Sequence, residues 1–354
     1  MTGLMNIYYC SLYYINGFSS GANKRFDELG KRLLIEHGSD FKCIVTVNNK
    51  PAWCPMAQCL FVPSYTSKFQ RIISWFHLSF KMATLPGGIF INDFMPIPLF
   101  SGRHKHMQTI YDLRNFEGYG RGGLGALTEY FQKWQLSSAN KIITISEFTS
   151  KAIQKFCSVK QENIIVSYCG LCDGTTGIPQ HIRDVDILYV STFEKRKNHR
   201  KLMEAINLFD YPLNVTFVGS DNGLKQEIID LASSLKIKGH CINFLEQISE
   251  HELCEVYSRS KVFCFPSLYE GFGMPLVEAY QFGCNVVCSD IAIFREVTMN
   301  KGLYFDPSSE QDIKDKLKIA LKMDLTESSS LRQEIVKRYS WDSIFKSFKA
   351  QILD

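Results

Sequence analysis

The sequence predicts an α/β fold of two doubly wound, Rossmann-like domains facing across a cleft. Three observations predict it. The chain has 354 residues, and at roughly 150 residues per domain two domains are expected. Strand-like and helix-like segments alternate in both halves, the pattern of parallel sheets covered by helices. Between Gly170 and Arg183 the apolar periodicity stops, and glycines, threonines and Pro179 take over, which reads as a linker. The expected division is 1–170, 184–338 and a C-terminal helix, 339–354, that crosses back to the first domain.

In the first half, residues 6–14 read as a strand. Residues 24–36 have helical spacing, with Phe26, Leu29, Leu33 and Leu34 on one face. Residues 41–47 are a β-branched strand, and 88–92, 108–111 and 141–145 are short apolar strands. Ser146 stands where an N-cap would open a helix over 147–156. In the second half, strands at 186–191, 213–218, 241–245, 261–265, 285–289 and 302–305 alternate with helices at 197–209, 225–235, 250–258 and 276–282.

Composition sets limits. The chain is 45% hydrophobic and 21% charged, ordinary for a globular protein that can bury a core without metal or disulfide staples. No segment reaches about 18 consecutive uncharged apolar residues, so no helix is expected to span a bilayer. The first fifteen or so residues lack a basic start and a small-residue cleavage site, and a cytoplasmic protein is expected. Cys169 and Cys172 form one C-x2-C without a second pair, too little for a zinc ribbon. Net charge is only +4, yet between Phe41 and Tyr111 the sole acid is Asp93, against Lys42, Lys50, Lys68, Arg71, Lys81, Arg103 and Lys105. That half is expected to face something anionic.

The segment 267–280, SLYEGFGMPLVEAY, carries the most chemistry. It follows a strand and opens a helix. Gly271 and Gly273 allow close approach of a ligand, and Pro275 fits a first helical turn. Backbone amides from Phe272 through Met274 to Leu276, with the helix dipole, suit a phosphate. Glu270 and Glu278 flank the loop, and carboxylates so placed call for hydroxyl partners such as those of sugars. The bland alternative is a turn with two solvated glutamates, but the Gly-Phe-Gly-Met-Pro between them argues against it.

This segment resembles the E-x7-E signature of the retaining glycosyltransferases of family 4, which have the GT-B fold. Residues 189–198 (YVSTFEKRKN) are similar to that family's first C-domain strand and donor-phosphate loop, and 215–220 (VTFVGS) to its second strand. Residues 243–253, 256–258 and 339–342 are similar to its later stretches, and the resemblance is strongest over 185–350. In the first half Gly21, the run 111–113 and the run 144–147 fall in the family's order.

The resemblance implies the following roles. Arg196 and Lys197 clamp the donor diphosphate, as a planar fork and a point charge suit it. Glu270 contacts sugar hydroxyls and Glu278 the ribose. Thr192, Gly219, Gly271, Phe272, Gly273, Met274, Pro275 and Leu276 surround the donor. Asp112, Arg114 and Gly21 serve the first domain's side. Catalysis is stabilisation of charge on the leaving diphosphate, with retention of configuration and no metal or other cofactor. Two departures stand out: Tyr111 where many relatives have histidine, and Thr192 where many have arginine.

Weaker signals in the chain have plainer readings beside them. Gly118, Gly120 and Gly123 satisfy G-x-G-x-x-G but do not follow a strand at once, so a loop over the cleft is the better reading. Asp184 and Asp186 imitate a D-x-D metal motif, yet they precede a strand. His104 and His106 suit a solvated basic loop or an acceptor phosphate more than a metal. Over 66–82, Phe69, Ile72, Ile73, Phe76 and Phe80 share a helical face beside Lys68, Arg71 and Lys81, which reads as membrane-surface binding. The alternative is an ordinary helix with that face in the core.

Together these imply transfer of a hexosyl or deoxyhexosyl unit, mannose or rhamnose favoured, from a nucleotide-sugar. The acceptor expected is a lipid-linked glycan of lipopolysaccharide O-antigen or capsule synthesis, at the inner face of the cytoplasmic membrane. No nucleic-acid module is present. A GT-B enzyme making a soluble glycoside and an inactive GT-B scaffold subunit are the rivals.

Overall fold

The computed structural model describes residues 5–17, 20–63, 68–93, 98, 103–114, 116–119, 125–171, 182–324 and 329–352. The chain divides into two compact units, Met1–Cys169 with Ile344–Asp354, and Gly170–Ser343.

The first unit runs β1 (Asn6–Ser11), α1 (Gly21–His37), β2 (Phe41–Thr46), β3 (Cys59–Val62), α2 (Lys68–Thr84), β4 (Gly88–Asp93), β5 (His104–Ile110), α3 (Gly125–Ser138), β6 (Lys141–Thr144), α4 (Glu147–Cys157) and β7 (Ile164–Val166). Its strands form one sheet, ordered β3-β2-β1-β4-β5-β6-β7, and every pairing is parallel. Strands buried on both faces need continuous apolar runs, and Ile7, Ile44, Ile89, Phe90, Ile91 and Ile143 supply them. Phe26 of α1 packs on Tyr9, 4.6 Å between ring centroids. On the other sheet face Leu78 and Met82 of α2 pack with Tyr8, Cys10, Ile44 and Phe90. Ser146 caps α4 as its sequence predicts, accepting from the Thr149 amide at 3.0 Å.

The second unit runs β8 (Val185–Val190), α5 (His199–Asn207), β9 (Asn214–Val218), α6 (Lys225–Ile237), β10 (Cys241–Leu245), α7 (Glu250–Ser258), β11 (Ser260–Phe265), α8 (Met274–Gln281), β12 (Asn285–Ser289), α9 (Ala292–Val297), β13 (Leu303–Phe305), α10 (Glu310–Lys322) and α11 (Ser329–Arg338). Its parallel sheet is ordered β10-β9-β8-β11-β12-β13. The last helix, α12 (Trp341–Ile352), begins in this unit and from Ile344 belongs to the first. Trp341 lies against Gly170, where an added Cβ would meet the indole at 2.4 Å, so only glycine fits. In the first unit Phe348 of α12 lies under the Arg25 guanidinium, 5.7 Å from its ring centroid.

One expectation needs correction, and two alternatives are resolved. His104 and His106 belong to no loop: both are buried in β5, where strand alternation turns them to one face beside Tyr8 and Phe90. The Met82 carbonyl lies 2.9 Å from His104 Nε2. Asp184 pairs with Arg259, and Asp186 accepts from Lys261 Nζ at 2.8 Å and the Asn214 amide at 2.8 Å, so both acids are engaged by protein. The apolar face of α2 is not in the core. Ile72, Ile73, Phe76 and Phe80 are exposed, while Ser74, Leu78, Ser79 and Met82 face inward. Cys172, Gly120, Gly123 and Pro179 lie outside the described residues, as do the side chains of Lys68, Phe69 and Arg71.

Candidate functional site

In open parallel sheets, ligands bind beyond the carboxyl ends of the strands where the chain order reverses. In the second unit that point lies between β8 and β11, because the chain first moves from β8 to β9 and β10, then returns to the far side of β8. The loops after β8 and β11 carry Arg196, Lys197 and Glu270, and the structure brings these three together.

Lys197 Nζ lies 2.5 Å from Glu270 Oε1, and Arg196 Nη1 lies 3.4 Å from Glu270 Oε2. Arg196 also donates to the Tyr269 carbonyl at 2.9 Å and pairs with Glu194 at 2.6 Å. Lys197 and Glu270 are each only 8% exposed. Burial disfavours both charges. For Glu270 the neighbouring Lys197 and Arg196 outweigh burial and hold the carboxyl below its ordinary value. For Lys197 burial prevails and lowers the ammonium, with Glu270 opposing it. Arg196 Nε is buried and has no hydrogen-bond partner.

The loop that holds the cations is tight. Residues Lys195–Lys197 form a single 3-10 turn, and Asn198 follows at φ 58°, a left-handed conformation that asparagine tolerates. Asn198 is tied down by its side chain, which donates to the Pro307 carbonyl at 2.8 Å. Beneath the loop, His199 stacks on Phe193 at 4.5 Å, and burial pushes its pKa down to about 3, so it stays neutral. Cations at the start of α5 oppose the helix dipole; Glu270 and Glu194 are the anions that compensate.

Thr192 does not stand alone: its hydroxyl donates to Glu194 Oε1 at 3.2 Å. Gly219, at the end of β9, is required by space, since a Cβ there would lie 1.9 Å from the Ser191 carbonyl oxygen.

Gly273 is the N-cap of α8 at φ 96°, and Pro275 lies in the first turn. A Cβ on Gly273 would approach Phe294 at 3.0 Å and Phe265 at 3.2 Å. Gly271 is not among the glycines with positive φ. The row of amides expected there is shorter than the sequence suggested. Pro275 has no N–H, and the Leu276 N–H is committed to the Gly273 carbonyl at 2.9 Å, so neither adds to the row. Glu278 is no solvated side chain. It is 8% exposed and accepts a hydrogen bond from the Tyr257 hydroxyl at 3.0 Å. Tyr257 is itself buried and stacked on Phe282 at 5.5 Å, and burial together with the Glu278 charge pushes its hydroxyl well up, so it remains a donor.

The first unit holds the other predicted residues. Its order reverses between β1 and β4. Gly21 opens α1 just after the Ser20 N-cap. Asp112 and Arg114, beyond β5, form a two-pronged pair, Nε to Oδ1 at 2.9 Å and Nη2 to Oδ2 at 2.6 Å. Tyr111 turns inward, and its hydroxyl donates to Asp93 Oδ2 at 3.3 Å. Asp93 is 0% exposed, and burial raises its pKa despite nearby Arg25. Arg25, also buried, reaches Ser167 Oγ at 3.1 Å.

Sequence reasoning passed over Glu194 and Tyr257, although both lie in stretches it had singled out. A carboxylate two residues before a pair of cations was the available signal for Glu194. For Tyr257 there was none, because its link to Glu278 is made only by packing of α7 against α8.

The architecture, two parallel sheets each flanked by helices, is that of the GT-B fold. Residues 181–338 match the family described as glycosyl transferases group 1. It is 26% identical over 230 residues to O-antigen chain mannosyltransferase B of Escherichia coli, covering 59% of each chain. It is 25% identical over 236 residues to O-antigen chain mannosyltransferase RfbU of Salmonella typhimurium, covering 67% of this chain and 66% of that one. The chain thus spans about three fifths of the length of the first of these relatives. In structure it is similar to Alr3699/HepE of Anabaena, solved in complex with UDP and glucose, with a TM-score of 0.76 and 14% identity over 99% of this chain and 100% of that one.

Proposed function

We propose that the protein is a retaining glycosyltransferase. It moves a hexosyl or deoxyhexosyl unit, mannose favoured by the relatives' names and rhamnose next, from a nucleotide-sugar to a lipid-linked glycan of O-antigen or capsule synthesis. The acceptor is met at the inner face of the cytoplasmic membrane. The observation that carries the reading is the buried group of Arg196, Lys197 and Glu270 at the switch point. The Arg196 Nε without a partner suits an anion joining that group.

Each residue then has a role. Arg196 and Lys197 take the donor diphosphate, with the dipole of α8 adding positive potential. Glu278, fixed by Tyr257, accepts from the ribose hydroxyls, and Glu270 from hydroxyls of the sugar. The bond between the anomeric carbon and the diphosphate breaks, and a bond to the acceptor oxygen forms on the same face. The acceptor proton passes to the leaving diphosphate. Negative charge grows on that diphosphate as the bond breaks, so Arg196 and Lys197 bind the transition state more tightly than the ground state. The two side-chain cations supply the charge neutralisation, and no metal is assigned a step. In the first unit Asp112, Arg114 and Gly21 serve the acceptor and sugar side.

The test is thermal stabilisation against a panel of nucleoside diphosphates and their sugars, since a ligand of the folded state raises the melting temperature. One base is expected to stabilise the protein, and Glu278→Ala to abolish the shift. No stabilisation by any member of the panel contradicts the reading.

A further inference from the structure

The loop after β8 sets a second carboxylate on the donor clamp. Glu194 Oε1 lies 2.6 Å from Arg196 Nη2, and both side chains are largely buried, 19% and 12% exposed. Arg196 Nη1 is taken by the Tyr269 carbonyl at 2.9 Å and by Glu270 Oε2 at 3.4 Å, while Nε has no partner. Two cations, Arg196 and Lys197, thus face two carboxylates, Glu194 and Glu270, and the group has no net charge. Glu270 is assigned to sugar hydroxyls. A clamp built only to attract a diphosphate would gain nothing from Glu194, because an anion beside the site repels the ligand.

The edge of the guanidinium that Glu194 holds explains its presence. A guanidinium meets an oxyanion in two-pronged fashion through a pair of its nitrogens. Arg114 meets Asp112 in this way, with Nε and Nη2. On Arg196 the same edge has Nε free and Nη2 held by Glu194. A diphosphate that takes this edge must displace Glu194 from Nη2. The carboxylate does not then swing away. The Thr192 hydroxyl donates to its Oε1 at 3.2 Å, and the Asn222 side chain donates to its Oε2 at 3.2 Å. Asn222 lies in the loop after β9, which is stitched to the loop after β8. The Phe193 amide donates to the Ser220 carbonyl at 3.0 Å, and the Asn222 amide to the Phe193 carbonyl at 3.2 Å. Asp221, between them, accepts from the Gly223 and Leu224 amides at 2.8 and 3.1 Å. Glu194 therefore stays within reach of Nη2 whatever occupies it.

We propose that Glu194 is a positioning residue that competes with diphosphate for Arg196, yielding Nη2 as the nucleotide-sugar binds and reclaiming it so that the nucleoside diphosphate product leaves. The inference rests on the reading of Arg196 and Lys197 as the donor clamp. Affinity that serves donor and product alike does not raise turnover, and product release limits many enzymes. A built-in competitor removes that excess affinity and keeps Arg196 aimed while the site is empty.

The experiment is calorimetric titration of the full chain with GDP, UDP and dTDP, beside steady-state turnover of the matching nucleotide-sugars. Glu194→Gln keeps the side chain's size and an oxygen for Thr192 or Asn222 but removes the charge. It is expected to bind the preferred diphosphate about 10-fold more tightly, the worth of one hydrogen bond to a charged group. KM for the donor and kcat should fall together, with stronger inhibition by added diphosphate. Glu194→Ala should tighten binding in the same direction. Glu194→Asp, which keeps the charge, should bring the affinity back towards that of the unaltered protein. Unchanged or weaker diphosphate binding in the folded Gln and Ala variants overturns the proposal and leaves Glu194 a brace of its loop. Tighter binding with kcat undiminished overturns it as well. Failure of the unaltered protein to bind any of the three diphosphates removes the transferase reading and this inference with it; binding without the Glu194 effect removes the inference alone.

Discussion

The two units place charge differently at corresponding points of similar sheets. In the second, Arg196, Lys197, Glu194 and Glu270 meet beyond the strand ends, in loops pinned by Asn198 and Gly219. In the first, the charged pair beneath the switch point, Arg25 and Asp93, is wholly buried, and Tyr111 reaches down to it. The second unit thus gathers charge beyond its strand ends, whereas the first uses it to brace its own floor. A diphosphate is the same in every nucleotide-sugar and needs fixed cations. An acceptor differs from enzyme to enzyme, and its recognition falls to variable loops over a rigid base.

The contrast can be broken most sharply at Lys197. Lys197→Ala should lower turnover by about 10²–10³-fold, the scale of one lost electrostatic stabiliser, with the melting temperature little changed. Near-normal turnover would remove the clamp. Tyr257→Phe should weaken nucleotide binding by about 10-fold, the worth of one hydrogen bond to a charged group. It should also erase any preference for ribo- over 2′-deoxyribonucleotides in calorimetric titrations. A purely structural tyrosine would leave that preference intact.

The pH dependence separates the units further. Lys197 is depressed by burial, so its proton leaves below the pH at which an ordinary lysine titrates. Diphosphate binding should weaken as pH rises through that value. On the acid side Glu270 is held down by Lys197 and Arg196 against its burial. The stability it contributes is therefore present above the ordinary carboxylate range and is lost as pH falls through its lower folded value. Titrating binding and melting temperature against pH checks both. The smallest effect belongs to the first unit. Tyr111→Phe gives up one long hydrogen bond to Asp93 and should cost about 1 kcal/mol of stability, read by denaturant unfolding, while nucleotide binding is unchanged.

Much of this was legible in the chain. The parallel strands announce themselves as apolar runs between helical periods, and Gly273, Pro275 and the two glutamates mark a ligand loop because few other residues fit its backbone. What was not legible has physical causes. Helix α3 hides because its large side chains point to solvent and only Leu136 is buried among its described side chains, so no amphipathic period shows a core face. His104 and His106 looked solvated because they alternate with Arg103 and Lys105, and alternation in a strand sends neighbours to opposite faces. The pairing of Arg196 with Glu194, and of Glu278 with Tyr257, depends on side-chain direction and on packing across elements.

The most direct measurement is product analysis. The protein would be incubated with nucleotide-sugars, one at a time, and a polyprenyl-diphosphate glycan acceptor, beside the Lys197→Ala variant. The account predicts that one nucleotide-sugar, GDP-mannose first among them, is consumed, that the new linkage keeps the donor's anomeric configuration, and that the variant forms almost none. An inverted linkage, or no transfer from any donor with acceptor present, would contradict it.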